Sequence, residues 1–382
     1  GRPGHRPYNR RYTAAIPPKD YRPATHMPSP RPYLLIFLLP LIAFFVSGCS
    51  KPPGQALLED YLYRMGNATE QPIDDDLSIQ PPVMSYPPRR ERLVASEDIR
   101  EGLLDTLNLR ACNLLPLIAE RNSSLGKVMP VSQQLIYELR FYVLIRDCLS
   151  KSEVKSDQEL FDQVDSIYQQ KKRNLPVVLW NAIYNAPEME ANFSLGDPPL
   201  SPDEQHSLGP AINSLQHFQQ LIYLSRQEGP WELPVFLPQL EKDYEVLNRN
   251  RFGARWLTSI RQLTLALERS GDAINARLAR RSICPLGKPT PQAKILNNVF
   301  RKYYIGQVQP YMALVHQTGT RWLAQHETLL GQLTHSSLIQ AYQQRMLSTQ
   351  SQLWLDYINA RDEHTKAWQT LLGQCGLMPS RN

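Results

Sequence analysis

The sequence predicts an all-α protein, a helical bundle of roughly eight to ten helices, and three observations support this prediction. Apolar side chains recur at steps of three and four residues along several long segments, which is the spacing of one buried helix face. Helix-start signals precede several of these segments. Alternating strand patterns are scarce, and neither of the hairpin pairs Asn-Gly and Asp-Gly occurs.

The amino-terminal part of the chain has the features of a secretory signal. An apolar run spans residues 34–46 and follows Arg31. It is shorter than the roughly 20 residues that a membrane-spanning helix needs. We therefore expect residues 1–48 to be a signal peptide. We expect Met27 to be the true start, with residues 1–26 an artefact of gene calling or cloning.

The four residues Val46-Ser47-Gly48-Cys49 resemble the lipobox of bacterial lipoproteins. The small Ser47 and Gly48 let the backbone enter a peptidase cleft. The resemblance implies that the Cys49 thiol receives a diacylglycerol, that the chain is cut before it, and that the new amino terminus is acylated. Ser50 in place of an aspartate implies sorting to the outer membrane, with the protein facing the periplasm. A plain signal peptide and an uncleaved anchor are the alternatives.

The remaining chain divides into two predicted regions. Residues 49–95 should form a lipid anchor, a short helix and a proline-rich tether, since residues 67–93 are rich in proline and acid and have no period. Residues 96–382 should form a helical periplasmic body. A proline-rich interruption at 186–204 marks a possible sub-boundary within that body.

Within the body, start signals and apolar stripes indicate the individual helices. Capping boxes occur at Ser156-Asp157-Gln158-Glu159 and at Ser201-Pro202-Asp203-Glu204, and Thr290-Pro291 is a third start. Three apolar stripes follow these signals or lie between them. Their residues are Leu135, Leu139, Tyr142, Ile145 and Leu149; Phe252, Trp256, Ile260, Leu263 and Leu267; and Leu338, Tyr342, Met346, Leu353, Tyr357, Trp368, Leu371 and Cys375.

The formal net charge of +6 does not describe the expected mature chain. Seven of the 42 Lys and Arg residues and one of the 36 Asp and Glu residues fall within residues 1–48, so 35 of each sign remain. A strongly basic chain would have indicated nucleic acid or anionic lipid as a partner. The neutral mature chain gives no such indication, and we expect no nucleic-acid partner.

Four cysteines follow Cys49, namely Cys112, Cys148, Cys284 and Cys375. An even number in an oxidising compartment indicates two disulfides, for which three pairings exist, and four buried free thiols are the alternative. We favour Cys112 with Cys148, because they lie on consecutive predicted helices, and therefore Cys284 with Cys375. Continuous helices would leave the first pair offset by roughly 10 Å, beyond the ~7 Å limit between bridged Cα atoms. The loop 121–131 would have to run back along the helical hairpin to bring the two cysteines level.

Two blocks of the sequence are similar to a known family. They are CNLLPLIAERNSSLGKVMPVSQQLIYELRF and CPLGKPTPQAKILNNVFRKYYIGQVQPYM. They resemble a family of proteobacterial lipoproteins classed as a domain of unknown function, number three thousand and eighty. The resemblance implies a Gram-negative cell envelope and no particular activity. Both blocks contain Leu-Gly-Lys, where Gly126 and Gly287 should each supply a left-handed turn after a helix.

Motifs for catalysis, metals or cofactors are absent from the sequence. The turn at Lys127 lacks the first glycine and the closing hydroxyl of a phosphate-binding loop. The QHETLL stretch at His326 lacks the second histidine of a zinc-protease helix. We therefore expect no catalytic residue, no metal and no cofactor.

These observations favour a non-catalytic outer-membrane lipoprotein whose body binds an envelope partner, either a protein, peptidoglycan or a lipid. A cell-envelope hydrolase with a site assembled from distant helices is the alternative, and a lipid carrier is a third possibility. If the two Leu-Gly-Lys turns lie at one end of the bundle, they form one basic surface. Its expected contact residues are Arg121, Asn122, Lys127, Lys288 and Arg301.

Overall fold

The computed structural model describes residues 51–96, 108–204 and 207–378, and these residues form helices, turns and loops without a β-strand. The all-α prediction is therefore confirmed. The predicted signal peptide and Cys49 lie outside the described residues. Within the described ranges, no helix combines the length and the apolar character that crossing a bilayer requires.

The longer helices follow one another through short connections, and a π-helix, Phe300–Val308, joins two of them without a break. In chain order they are α1 (Pro53–Thr69), α2 (Leu115–Asn122), α3 (Val131–Cys148), α4 (Gln158–Tyr184), α5 (Leu208–Ser225), α6 (Leu240–Asn250), α7 (Phe252–Arg280), α8 (Pro291–Val299), α9 (Gln309–Leu330), α10 (Ser337–Met346) and α11 (Gln352–Gln374).

The helix α7 is the centre of the body, because α1 and α11 both pack along it. Its predicted apolar stripe, from Phe252 to Leu267, is buried. The first turns of α7 meet α9 through two glycine–tryptophan contacts. A Cβ on Gly253 would lie 2.6 Å from Trp322, and one on Gly319 would lie 2.3 Å from Trp256. The missing side chains therefore let the two helices approach closely.

Residues 51–96 pack into the body and are not a free tether. Leu58, Leu62 and Met65 of α1 are buried in the main apolar core. Leu77, within the acidic and proline-rich stretch, is also buried, and its N–H donates to the Glu59 carboxylate at 3.1 Å. The chain from residue 51 onward is one compact unit, so the predicted boundary at residue 96 is not observed.

The interruption at 186–204 separates two helices but not two domains. Phe193 and Leu200 within it are buried in the same apolar core as Leu179 before it and Leu215 after it. The predicted helix start at Ser201 is a turn, and α5 begins only at Leu208.

The first disulfide joins Cys112 to Cys148, with Cα atoms 5.0 Å apart, as the favoured pairing predicted. The predicted 10 Å offset does not arise, because Cys112 lies outside α2. It ends a 3-10 turn, Asn108–Cys112, and Asn113 (φ 57°) turns the chain before α2 begins. This turn packs against α3 in a second, smaller apolar cluster that includes Ile145 and Val164.

The second disulfide joins Cys284 to Cys375, with Cα atoms 5.1 Å apart. It fastens the turn before α8 to the end of α11, inside the main core. The start of α8 is as predicted, since the Thr290 hydroxyl accepts from the N–H of Ala293. The last predicted stripe divides between α10 and α11, and Leu338 at its beginning is exposed.

Candidate functional site

The strongest charge feature of the chain is a stretch without acids. Residues 273–326 contain eight Lys and Arg residues and no Asp or Glu. Since the expected mature chain is neutral, the rest of it carries a matching excess of acid. The basic segment predicted between Lys288 and Tyr311 is thus only the middle of a longer acid-free stretch.

Part of this stretch forms one exposed stripe along α8 and the π-helix. Lys294, Ile295, Arg301, Lys302 and Ile305 are all exposed and follow one another at helical spacing. The opposite side carries buried apolar residues, which pack against α1. Among the described residues, no ion pair involves any of the three cations of this stripe.

The neighbouring Tyr303 is held between two cations. The guanidinium carbon of Arg64, on α1, lies 4.1 Å from the centre of its ring, and the Lys302 ammonium lies 5.4 Å from it. Each contact is a cation–π interaction, which fixes the ring. Arg64 is in turn paired with Asp60 at 3.0 Å. We call the surface formed by Arg64, Lys294, Ile295, Arg301, Lys302, Tyr303 and Ile305 the basic face.

The π-helix separates the two adjacent tyrosines. Tyr303 lies at the basic face, whereas Tyr304 is buried, with its ring 4.6 Å from that of His364. Burial raises the pKa of Tyr304, so its hydroxyl stays protonated at neutral pH. Short π segments occur frequently at functional sites, where they change which side chains face outward.

The predicted contact residues fall into two separate groups. Arg121, Asn122 and Lys127 surround the first Leu-Gly-Lys turn, which packs on α2. Lys288 and Arg301 belong to the second turn and the basic face. Among the described residues, no ion pair and no ring contact joins the two turns. The expected single surface of five residues stays a prediction, and Arg301 is the one of the five that belongs to the basic face.

The two turns also differ in the role of their glycines. Gly287 has φ 66°, the left-handed conformation that the sequence predicted. Gly126 lies instead in a 3-10 turn, so that part of the prediction is wrong. A Cβ on Gly126 would lie 2.2 Å from the carbonyl oxygen of Glu120. Its own carbonyl oxygen accepts a hydrogen bond from the Arg121 guanidinium, so this glycine allows the close approach that positions Arg121.

Comparison with known protein families shows which family the chain belongs to. The family model described as protein of unknown function (DUF3080) matches residues 58–379. The chain belongs to this family. No curated protein and no solved structure matches it. The DUF3080 match begins inside α1 and reaches past α11, so the basic face lies within the family's domain.

A second feature of this DUF3080 domain is a histidine–carboxylate pair. His217 Nδ1 lies 2.9 and 3.0 Å from the two carboxylate oxygens of Asp243, and the imidazole stacks on Phe236 with ring centres 4.2 Å apart. The carboxylate fixes the orientation of the imidazole, as in hydrolases where a histidine acts as general base. Within the described residues, no serine or cysteine makes a hydrogen bond to His217. No group of three or more metal-ligating residues occurs there either.

Proposed function

We propose that the chain is a non-catalytic, lipid-anchored protein of the cell envelope, whose helical body binds a negatively charged envelope partner through the basic face. The observation that supports this proposal is the arrangement of that face. Lys294, Arg301 and Lys302 are unpaired cations beside the exposed Ile295 and the fixed ring of Tyr303. Tyrosine and arginine are frequent anchors of protein interfaces.

The lipid anchor is proposed from the lipobox resemblance at Cys49. Only Ser50, Lys51 and Pro52 stand between this cysteine and α1, which is a core helix. The test is processing in a Gram-negative host. The mature chain should begin at Cys49 and partition into detergent, and Cys49→Ala should accumulate as an uncut precursor. A Cys49→Ala chain that is cut and reaches the outer membrane normally would exclude the anchor.

The partner is tested by charge reversal on the basic face. The basic-face variant changes Lys294, Arg301 and Lys302 to Glu. The control variant changes Arg140, Lys172 and Arg226 to Glu, and these three residues are exposed outside the basic face. Both variants change the net charge equally, so only the position of the charge differs. Binding to purified peptidoglycan, to phosphatidylglycerol vesicles and to solubilised envelope proteins is measured by co-sedimentation and crosslinking.

We expect one of these three materials to bind both the natural chain and the control variant. The same material should not bind the basic-face variant. Binding should weaken as salt rises, because counter-ions screen exposed charges beyond about 10 Å at 0.1 M. Equal binding by the two variants would exclude the basic face as the contact surface.

A hydrolase is the second candidate function, and the His217–Asp243 pair is the observation that favours it. His217 is 38% exposed, so its second ring nitrogen can reach a substrate or water. The test is turnover of peptidoglycan and phospholipid by the natural chain and by His217→Ala. Turnover that His217→Ala abolishes would favour the hydrolase, and no turnover by the natural chain would exclude it.

A further inference from the structure

A cavity of about 310 Å³ lies between the end of α2, the start of α3, the end of α4 and the segment 89–96. Its volume is at the lower end of the range for small-molecule sites, about 300–1,000 Å³. Its buried apolar lining residues, Leu135 and Ala182, belong to the main apolar core. It shares Arg121 with the first Leu-Gly-Lys turn and no residue with the basic face.

The most unusual residue of this cavity is Asn185, directly after α4. Asn185 is only 2% exposed, yet neither the oxygen nor the nitrogen of its side-chain amide has a hydrogen-bond partner among the residues that the structure describes. Buried amides almost always have partners, because leaving such a group unpaired is costly. An unpaired amide in the wall of a cavity indicates that something in the cavity completes it.

The neighbouring Asn181 shows which chemical group fits such an amide. Its side-chain nitrogen donates to the carbonyl of Val94 at 2.7 Å, and its oxygen accepts from the Val94 N–H at 3.1 Å. Asn181 is thus satisfied by the N–H and the carbonyl oxygen of one residue, which belong to two successive peptide groups. Among the described residues, Asn185 presents the same pair of atoms without a partner. A ligand that offers an N–H donor and a carbonyl acceptor, as an acylated amino acid does, matches this pair.

The charges around the cavity indicate an anion. Arg89 and Arg121 both line it. The carboxylate in its wall, Glu138, is paired with the Lys171 ammonium at 2.5 Å. Within the described part of the lining, two guanidiniums thus remain without a balancing carboxylate. Arginine binds carboxylates through two parallel hydrogen bonds, which makes it well suited to such a group. The Arg121 side chain is held in place by the carbonyl of Gly126.

Part of the wall is apolar, and Ser96 and Gln134 add further polar groups to it. Val131 and Leu135 of α3 and Val178 of α4 face the same space. These side chains suit a short aliphatic group, which would add favourable burial to the polar contacts. The cavity therefore combines an unpaired amide, two cations and a small apolar surface.

We propose that this cavity binds an N-acylated amino acid unit, whose amide pairs with Asn185 and whose carboxylate is bound by Arg89 and Arg121. The unit is either a free acylated amino acid or the carboxyl-terminal end of a short peptide. This inference is independent of the proposed function, since it uses neither the basic face nor the lipid anchor.

The test titrates the full chain with three probes and follows binding by calorimetry and ligand-observed NMR. N-acetyl-L-alanine carries both the amide and the carboxylate, acetate carries only the charge, and N-acetyl-L-alaninamide carries only the amide. We expect N-acetyl-L-alanine to bind at least about tenfold more tightly than either of the others. Trialanine separates the two sources, because tighter binding than N-acetyl-L-alanine indicates a peptide end and weaker binding indicates the free acid.

Two variants locate the site. Asn185→Leu removes the unpaired amide, and Arg121→Gln removes one cation. Each change should weaken the binding of N-acetyl-L-alanine by about tenfold or more. Arg226→Gln, an exposed position that lines neither the cavity nor the basic face, is the control and should bind normally. Asn185→Leu should melt at the same temperature as the natural chain, which separates a loss of binding from a loss of folding. If Asn185→Leu fails to fold, Arg121→Gln provides the second test.

The proposal is wrong if none of the probes binds at about 10 mM, a concentration that detects even very weak sites. It is also wrong if acetate binds as tightly as N-acetyl-L-alanine, or if Asn185→Leu and Arg121→Gln bind N-acetyl-L-alanine as tightly as the control variant does. In those cases buried water alone completes Asn185.

Discussion

At the scale of single residues, two histidines stand out because they are buried among aromatic rings without a carboxylate. His326 Nδ1 shares a hydrogen bond with the Tyr184 hydroxyl at 2.9 Å, and His364 Nε2 shares one with the Tyr61 hydroxyl at 2.8 Å. Burial lowers the pKa of each imidazole to about 3, from an ordinary value of 6.5. Both are therefore neutral in the folded protein at neutral and mildly acidic pH.

The first prediction concerns the acid stability that follows. Below pH 6.5 the two imidazoles become protonated in the unfolded chain but stay neutral in the folded chain. The free energy of unfolding should therefore fall as the pH decreases to about 3. Each histidine should contribute a slope of about 1.4 kcal/mol per pH unit at most. Replacing one of them, as in His326→Gln, should reduce the slope between pH 6 and 4 by about that amount. Denaturant unfolding at several pH values measures it.

Above pH 7 the slopes of the natural chain and of His326→Gln should coincide, because imidazole is neutral there in both the folded and unfolded chains. An unchanged slope between pH 6 and 4 would contradict the buried neutral state of His326.

The second prediction concerns Gly126, where a Cβ would lie 2.2 Å from one backbone carbonyl oxygen and 2.3 Å from the next. Backbone cannot move aside as a flexible side chain can. Gly126→Ala should therefore lower the free energy of unfolding by about 1–3 kcal/mol, as overpacking usually does. Gly373→Ala, which meets nothing within 4 Å, is the matched control and should be neutral or slightly stabilising. Equal stability of the two variants would contradict the close approach at Gly126.

At the scale of elements, the contact between α7 and α9 depends on the two glycine–tryptophan pairs. Trp256 also donates from Nε1 to the carbonyl of Val315 at 2.9 Å, which fixes its ring over Gly319. Four residues thus set the distance between the two helices, with a large side chain from each helix covering a glycine of the other.

The third prediction follows from this contact. Gly319→Ala would place a methyl group 2.3 Å from the Trp256 ring nitrogen, and should lower the free energy of unfolding by about 1–3 kcal/mol. Gly306→Ala in the π-helix is the control, since its nearest neighbour is the Arg301 carbonyl at 3.5 Å. Alanine should stabilise that exposed helical position by about 0.5–1 kcal/mol. Opposite signs in chemical denaturation would confirm the prediction, and a neutral Gly319→Ala would contradict it.

The helices that the sequence predicted correctly are those with a regular stripe, such as α7, because burial of one face is readable from spacing alone. The errors lie where tertiary contacts override local signals. Ser201 to Glu204 reads as a capping box, yet the Glu204 carboxylate is bound by Arg255, and residues 201–204 form a turn that lies before α5, which begins at Leu208. Cys112 reads as helical because the turn at Asn113 needs a left-handed residue that the apolar spacing does not reveal.

The candidate sites were less predictable than the fold. The second turn and Arg301 were correctly taken as exposed, but Arg64 comes from α1, far away in sequence, and no local pattern links it to Tyr303. The cavity at Asn185 has no sequence signal at all. An asparagine after a helix is an ordinary capping residue, and only the structure shows that its amide lacks partners.

At the scale of the whole molecule, the amino-terminal segment is part of the folded body. Trp180 Nε1 donates to the carbonyl of Arg92 at 2.7 Å, and the Arg92 guanidinium donates to the carbonyl of Tyr184 at 2.7 Å. Together with α1, these contacts bring both ends of the segment 51–96 into the core. The prolines in it favour an extended path across the surface of the body.

The last prediction is that the body does not fold without this segment. Leu58, Tyr61, Leu62 and Met65 are each at most 1% exposed. Burying each such side chain contributes about 1.5–3 kcal/mol, so their loss removes about 6–12 kcal/mol from a total that is typically 5–15 kcal/mol. A chain of residues 97–382 should therefore lack a cooperative thermal transition and near-ultraviolet circular dichroism, whereas residues 51–382 should show both. If the shorter chain melted cooperatively at the same temperature, residues 51–96 would be a tether after all, and the contacts of α1 with α7 would add nothing to stability.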